Sequence, residues 1–367
     1  MGVCTLTFVV LCSMVVFVVG GEEGLAASFI FGDSLVDAGN NNFLPTLARA
    51  NFRPNGIDFE ATAGEPTGRY TNGRTIADIV GELLGQANYA PPFLSPNTTG
   101  KAILYGVNYA SGGGGILTQT GRIFINRLGL DVQADYFNIT RHQIDDLIGK
   151  SKAKEFIMRK SIFSITIGSN DFLSNYLLPV ISMVEKMSET PNDFVDHLIN
   201  HFEGQLKRLY SLDARKFVIG NVGPIGCIPY QKTINQIEET ECAGLPNKLA
   251  LQYNSKLRDL LVQLNQELPG AKFVLANVYD LVMELITNHK KYVSMARQAC
   301  CGHVGDDRFN FFGLVKRVAV MLETIDLTSS VKSIVALIMA YVLMLTCIFP
   351  PRQRPLIIVS PFPISFS

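Results

Sequence analysis

Three places in this 367-residue chain carry side chains or amides that together could perform acyl transfer. The first is Gly32-Asp33-Ser34, which follows a short apolar run, Phe29-Ile30-Phe31. A buried strand that ends on a glycine turn delivers the next hydroxyl to the edge of a sheet, where open α/β folds bind ligands. The second is Ser111-Gly112-Gly113-Gly114-Gly115, a run whose backbone amides can approach a ligand with no side chain between. The third is Gly168-Ser169-Asn170-Asp171, which sets an amide donor after another β-rich run. Taken singly, each is an ordinary loop closing a strand, since Gly, Asp, Ser and Asn all favour turns. Taken together, a serine, a glycine amide and an asparagine amide at successive strand ends are the parts of a nucleophile with an oxyanion hole. Phosphate cradling is the rival, and it lacks its spacing. There is no Gly-x-x-x-x-Gly-Lys-Ser/Thr, and Leu117 stands where Gly-x-Gly-x-x-Gly needs its last glycine.

Those residues need a sheet to hold them. Short β-rich runs occur at residues 103–109, 162–167, 216–222 and 272–278, alternating with helical spacing at 75–84, 132–148, 192–210 and 245–268. In the third helical segment Phe194, Leu198, Phe202, Leu206 and Leu209 recur at three- and four-residue steps, which makes one apolar face. Strands alternating with helices predict an α/β fold with a parallel sheet covered on both faces. Hydrophobic residues make up 47% and charged residues 17%, enough apolar material for one large core. Lys plus Arg and Asp plus Glu balance at 32 each, and no basic stripe carries interleaved aromatics, which argues against a nucleic-acid partner.

Residues 6–19 are almost wholly apolar and are followed by small residues at Gly20, Gly21, Ala26 and Ala27. This pattern predicts a signal peptide over residues 1–27, hence secretion into an oxidising compartment. After its removal five cysteines remain: Cys227, Cys242, Cys300, Cys301 and Cys347. Cys227 and Cys242 flank a polar stretch and are a disulfide candidate, whereas adjacent Cys300 and Cys301 do not readily pair with each other. The absence of any Cys-x-x-Cys speaks against a structural zinc site. Asn97 and Asn138 open Asn-x-Thr triplets and are candidate glycosylation sites in a secreted protein.

The chain resembles the GDSL esterase/lipase family, the plant branch of the SGNH hydrolases. The likeness runs in order through FIFGDSLVDAGNNN (29–42), GRYTNGRTIADIVGELLG (68–85), YGVNYASGGGGIL (105–117), FNITRHQIDDLIG (137–149) and ITIGSNDF (165–172). It continues in FVIGNVGPIGCIPYQKT (217–233), LPNKLALQYNSKL (245–257) and FVLANVYDLVMELI (273–286), which places a hydrolase domain at residues 28–302. The resemblance implies a flavodoxin-like α/β/α sandwich, incomplete at its C-terminus, and a secreted, extracellular hydrolase acting on a small ester or lipid. It makes Ser34 the nucleophile, with an oxyanion hole from the Ser34 amide, the Gly112 amide and the Asn170 side chain. Asp33 then serves as a local hydrogen-bonding residue, and Cys227 and Cys242 match family cysteines. Neither a metal nor a cofactor is implied.

One part of the family pattern is missing. A serine hydroxyl needs a base, which a carboxylate normally orients, and the family supplies both in an Asp-x-x-His near the C-terminus. The five histidines here are His142, His197, His201, His289 and His303, preceded three places earlier by Ile139, Phe194, Leu198, Ile286 and Cys300. No Asp-x-x-His exists in the chain. His303 comes closest in position, with Asp306 and Asp307 following in the reverse order. Residues 303–367 are unlike the family. They contain an uncharged run at 333–349, followed by Arg352 and Arg354. Seventeen residues reach the lower limit for a membrane helix, so membrane association is expected only if that run is a genuine helix. The reading preferred for this tail is a retained intron, a shifted frame or a gene-model error. Two functions stay open: a serine ester hydrolase, or a non-catalytic relative that binds esters or acyl groups.

Overall fold

A computed structural model of the chain describes residues 25–53, 55–178, 189–238 and 240–288. Residues 1–24 of the expected signal segment, His289, His303, Cys300, Cys301, Cys347 and the run at 333–349 lie outside the described residues, whereas Ala27 at the end of that segment already belongs to the first strand.

Five strands form one all-parallel sheet: β1 (Ala27–Gly32), β2 (Gly106–Asn108), β3 (Ser161–Thr166), β4 (Lys216–Gly220) and β5 (Lys272–Ala276). Their spatial order is β2-β1-β3-β4-β5, the flavodoxin-like arrangement, with its switch point between β1 and β3. Among the described residues, seven α-helices of six or more residues accompany them: α1 (Ile76–Leu83), α2 (Leu130–Ile148), α3 (Lys150–Lys160), α4 (Pro191–Ser211), α5 (Pro229–Ile234), α6 (Gly244–Glu267) and α7 (Val278–Thr287). Helices α2, α4 and α6 pack side by side in that order, which right-handed crossovers running the same way across a sheet require. The expected α/β sandwich with a central parallel sheet is the observed fold.

Register explains the core. Phe29 lies opposite Phe163, Phe163 opposite Phe217 and Phe217 opposite Phe273, so one aromatic row crosses four strands on one face. Phe137 of α2 meets Phe29 and Phe163 edge-on, with centroids 5.2 and 5.1 Å away. All six residues of β1 are buried, which is why its run reads as continuously apolar rather than alternating.

Local signals set the helix ends. Thr75 caps α1 in a capping box with Asp78, and Thr190 does the same for α4 with Asp193, with Pro191 at the first turn. Two expectations need correcting. Within 103–109 only Gly106–Asn108 is strand, because Gly100–Tyr105 coils as a 3-10 helix. Gly106 makes the switch at φ 113°, where an added Cβ would sit 2.1 Å from the Ser28 carbonyl oxygen. Helix α3 was not expected: its core-facing residues are only Ala153 and Ile157, too few to show a period.

Candidate active site

The hydroxyl of Ser34 stands just beyond the end of β1, and a residue from α2 fixes the backbone before it. The Gly32 N–H donates to Gln133 Oε1 at 2.9 Å, while Gln133 Nε2 donates to the carbonyls of Gly32 and Leu128, both at 2.8 Å. Gln133 is fully buried, so it grips both backbone groups of Gly32 where water cannot compete. No side chain fits at Gly32, since a Cβ would approach the Thr166 carbonyl oxygen to 2.4 Å. The Asp33 N–H then donates to that same oxygen at 3.2 Å, and Asp33 Oδ1 accepts the Leu35 N–H at 2.9 Å. This is the local hydrogen-bonding role expected of Asp33. Ser34 is 1% exposed, and neither its Oγ nor Asp33 Oδ2 has a hydrogen-bond partner among the described residues. A buried hydroxyl without a partner is costly in a folded protein and calls for an explanation, a catalytic role among them.

The glycine run lies against the polar residues that follow Ser34. Asp37 Oδ1 accepts from the Gly39 and Asn40 amides, and its Oδ2 accepts the Gly112 N–H at 2.9 Å. Asn40 Nδ2 donates to the carbonyls of Asn108 and Ala110, and Asn41 Nδ2 donates to the Gly112 carbonyl at 2.9 Å. Asn41 Oδ1 accepts from Ser111 Oγ at 2.5 Å. The stretch from Asp37 to Asn41 is therefore the cradle of the loop at 108–112. Gly112 has no room for a side chain: a Cβ would lie 2.0 Å from the Tyr70 hydroxyl.

The third block closes the site from β3. Asn170 sits in a short helical turn, Ser169–Asp171, rather than in an open loop. Its Nδ2 donates to the Gly114 carbonyl at 2.9 Å, which leaves one hydrogen of that amide for a ligand. Asp171 anchors the far end of the glycine run, accepting the Ile116 and Leu117 N–H groups and the Thr120 hydroxyl at 2.9, 2.9 and 2.6 Å. The structure thus brings Ser34, Gly112 and Asn170 to one end of the sheet, with the Gly112 N–H held by Asp37.

Three buried carboxyls crowd this end. Burial, helped by the charges of Asp171 and Asp37 and opposed by the Leu35 amide, raises Asp33 to about 7. Burial raises Asp37 to about 6 against the amides of Gly39, Gly112 and Asn40, and it raises Asp171 as well. Sequence reading missed the parts played by Asp37, Asn41, Gln133 and Asp171. Asp37 and Gly39, spaced for an Asx turn, were the one local signal available.

The described histidines stand on helices, each against a different carboxylate. His142 on α2 is 4.0 Å from Asp145, His197 on α4 is 3.2 Å from Glu189, and His201 on α4 is 3.0 Å from Asp131. None of these three bonds Ser34. Cys227 and Cys242 form a disulfide, with Cα atoms 4.4 Å apart. Asn97 is exposed on a loop, whereas Asn138 is half-buried on α2. Among the described residues no group of three or more His, Cys, Asp or Glu side chains could hold a metal ion. Nor is any described helix long and apolar enough to cross a membrane.

With this geometry in place, comparison with known proteins is informative. The profile of the GDSL-like Lipase/Acylhydrolase family matches residues 29–311. The chain is 69% identical over 283 residues to the GDSL esterase/lipase At2g23540 of Arabidopsis thaliana, an alignment that covers 77% of this chain and 73% of that protein. It is 62% identical over 284 residues to the GDSL esterase/lipase At3g50400 of the same plant, covering 77% and 76%. A third Arabidopsis relative, the GDSL esterase/lipase At4g16230, is 49% identical over 282 residues, covering 77% and 75%.

Proposed function

Since the chain belongs to the GDSL-like lipase/acylhydrolase family, we propose that it is a secreted serine carboxylic-ester hydrolase with Ser34 as its nucleophile. The observation that carries this reading is the buried, unpartnered Ser34 Oγ, set beside the glycine run and Asn170 at the C-terminal end of the sheet. Ser34 Oγ attacks the ester carbonyl carbon, and the carbonyl oxygen gains negative charge. That oxygen takes hydrogen bonds from the Ser34 amide and the second hydrogen of Asn170 Nδ2. The Gly112 amide contributes by partial exchange with Asp37 Oδ2, which it already bonds. Collapse expels the alcohol and leaves an acyl-Ser34 ester, which water then hydrolyses.

Both halves of that cycle need a base to remove a proton, and none is bonded to Ser34 among the described residues. The sequence has no Asp-x-x-His to supply one. The chain as written is therefore expected to hydrolyse esters very weakly, since an oxyanion hole alone gives only residual catalysis. A second reading, a relative that binds esters or acyl groups without turning them over, is favoured by that same missing base.

Hydrolysis of p-nitrophenyl butyrate by wild type and Ser34→Ala, with and without added imidazole, tests the reading. With the protein-free imidazole reaction subtracted, the expected result is a slow protein-dependent hydrolysis that imidazole accelerates in wild type only. Turnover at ordinary enzyme rates without imidazole would overturn the missing base. A protein-dependent imidazole acceleration that persists in Ser34→Ala would overturn the nucleophile.

A further inference from the structure

Two loops meet above the glycine run, and both expose apolar side chains. One follows the nucleophile block and carries Phe43, 47% exposed, and Leu47, 61% exposed. The other follows the glycine run and carries Ile123, 39% exposed, and Ile125, 69% exposed. The loops are joined at a single atom. The Phe124 carbonyl accepts the Leu47 N–H at 3.0 Å, the Thr46 hydroxyl at 3.0 Å and the Asn126 N–H at 2.9 Å. The Phe124 ring is buried directly over the glycine run, where a Cβ on Gly113 would come within 2.5 Å of it. Ala48 is tied to the same place, accepting hydrogen bonds from Tyr70 Oη and Asn41 Nδ2.

Ile125 is held in an unusual way. Its φ of 73° and ψ of −60°, with the Asn126 N–H returning to the Phe124 carbonyl, make it the centre of a strained γ-turn. A β-branched residue is among the least suited to positive φ, where glycine or asparagine would relieve the strain. The turn serves to push the side chain outward. Backbone strain of this kind clusters at functional sites and ligand clamps.

The charge of these loops is one-sided. Residues 43–53 and 118–128 contain Arg49, Arg53, Arg122 and Arg127 and no Asp or Glu. Arg53 pairs with Glu65 and Arg127 bonds the carbonyls of Thr118 and Thr120. Arg49 bonds only the Leu44 carbonyl, and Arg122 has no acidic partner among the described residues; both are exposed. Apolar side chains flanked by arginines are the composition of a surface that sits in the headgroup layer of an anionic lipid.

We propose that Phe43, Leu47, Ile123 and Ile125, flanked by Arg49 and Arg122, dock the protein on an anionic lipid surface and so bring acyl esters held in that surface to Ser34. The contact these two loops make is peripheral and is separate from the apolar run at 333–349. The inference rests on the ester-hydrolase reading for its substrate, but its test reads binding and needs no turnover.

The experiment is co-flotation of the full chain with vesicles of phosphatidylcholine alone or of phosphatidylcholine mixed with phosphatidylglycerol. It is run on wild type and on Ser34→Ala, so a failure of the catalytic reading leaves the binding result intact. The expected result is flotation with the phosphatidylglycerol vesicles and much less with phosphatidylcholine alone. Leu47→Asn/Ile125→Asn abolishes it. Arg49→Gln/Arg122→Gln weakens it by about tenfold or more, each cation at an anionic surface being worth roughly a factor of five. All variants keep the wild-type melting transition; should the Ile125 change disturb it, Phe43→Asn/Leu47→Asn replaces that pair. No flotation of wild type, equal flotation with both vesicles, or flotation unchanged in both variant pairs overturns the proposal.

Discussion

The two ends of the sheet are buried to different depths. Every residue of β1 is buried, and so are all three of β2, while in β5 only Phe273 is buried and Lys272 is exposed. Burial declines strand by strand between them: β3 is half-exposed at Ser164 and Thr166, and β4 at Lys216 and Val218. The nucleophile is placed at the deep end. What a serine nucleophile needs there is a rigid, dry backbone, and burial on both faces of β1 supplies it. The shallow end retains its aromatic row on one face only, through Phe217 stacked on Phe273 at 4.4 Å.

The largest effect should separate these ends directly. Phe29→Ala removes a fully buried ring that meets Phe137 and Phe163, and it is expected to cost about 3–5 kcal/mol by denaturant unfolding. Equal losses from Phe29→Ala and Val274→Ala would break the comparison. The second test is pH. Asp33 rises from its ordinary 3.8 to about 7 in the folded chain, so the native state holds a proton that the unfolded state has released. Stability from this group is present below pH 4 and is lost as pH rises through 7, on the order of 4 kcal/mol in all. Asp33→Asn should flatten that slope between pH 4 and 7. A slope over this interval that is the same in wild type and Asp33→Asn would show that water reaches the deep end.

Gly112→Ala sharpens the comparison by probing tightness. Its Cβ would lie 2.4 Å from Tyr70 Cζ as well as close to the hydroxyl, so a loss of about 1–3 kcal/mol is expected in thermal melts. The smallest effect belongs to the shallow end. Val218→Thr puts a hydroxyl on a half-buried position of β4 and should change stability by less than about 1 kcal/mol. A larger loss would mean that this face is better sealed than its exposure shows.

Much of the architecture was legible because it rests on repeated local signals. Helices α4 and α6 announce themselves through apolar steps of three and four, and β1 through an unbroken apolar run. What escaped depends on distance. Nothing near Gly112 reveals that Asp37, 75 positions earlier, takes its amide. Nor does the spacing around Gln133 predict a grip on Gly32. Helix α3 hides because its neighbours, not its own pattern, hold it. Of the site, residue types gave a nucleophile, a glycine amide and an asparagine amide at strand ends, and the family resemblance chose Ser34, Gly112 and Asn170 among them. The carboxyls and amides that brace them became visible only once β1, β2 and β3 lay side by side.

The grip of Gln133 on Gly32 also has a consequence for the order in which the protein is made. The two residues are 101 positions apart, so the turn before Ser34 leaves the ribosome long before its clamp is synthesised. Loop closure over that distance is slow relative to local helix formation. The turn before Ser34 therefore cannot reach its final geometry until α2 has been made, although its residues are among the first translated. A nascent chain shorter than about 133 residues would carry the serine but not the geometry that makes it reactive, which separates synthesis of the site from its activation.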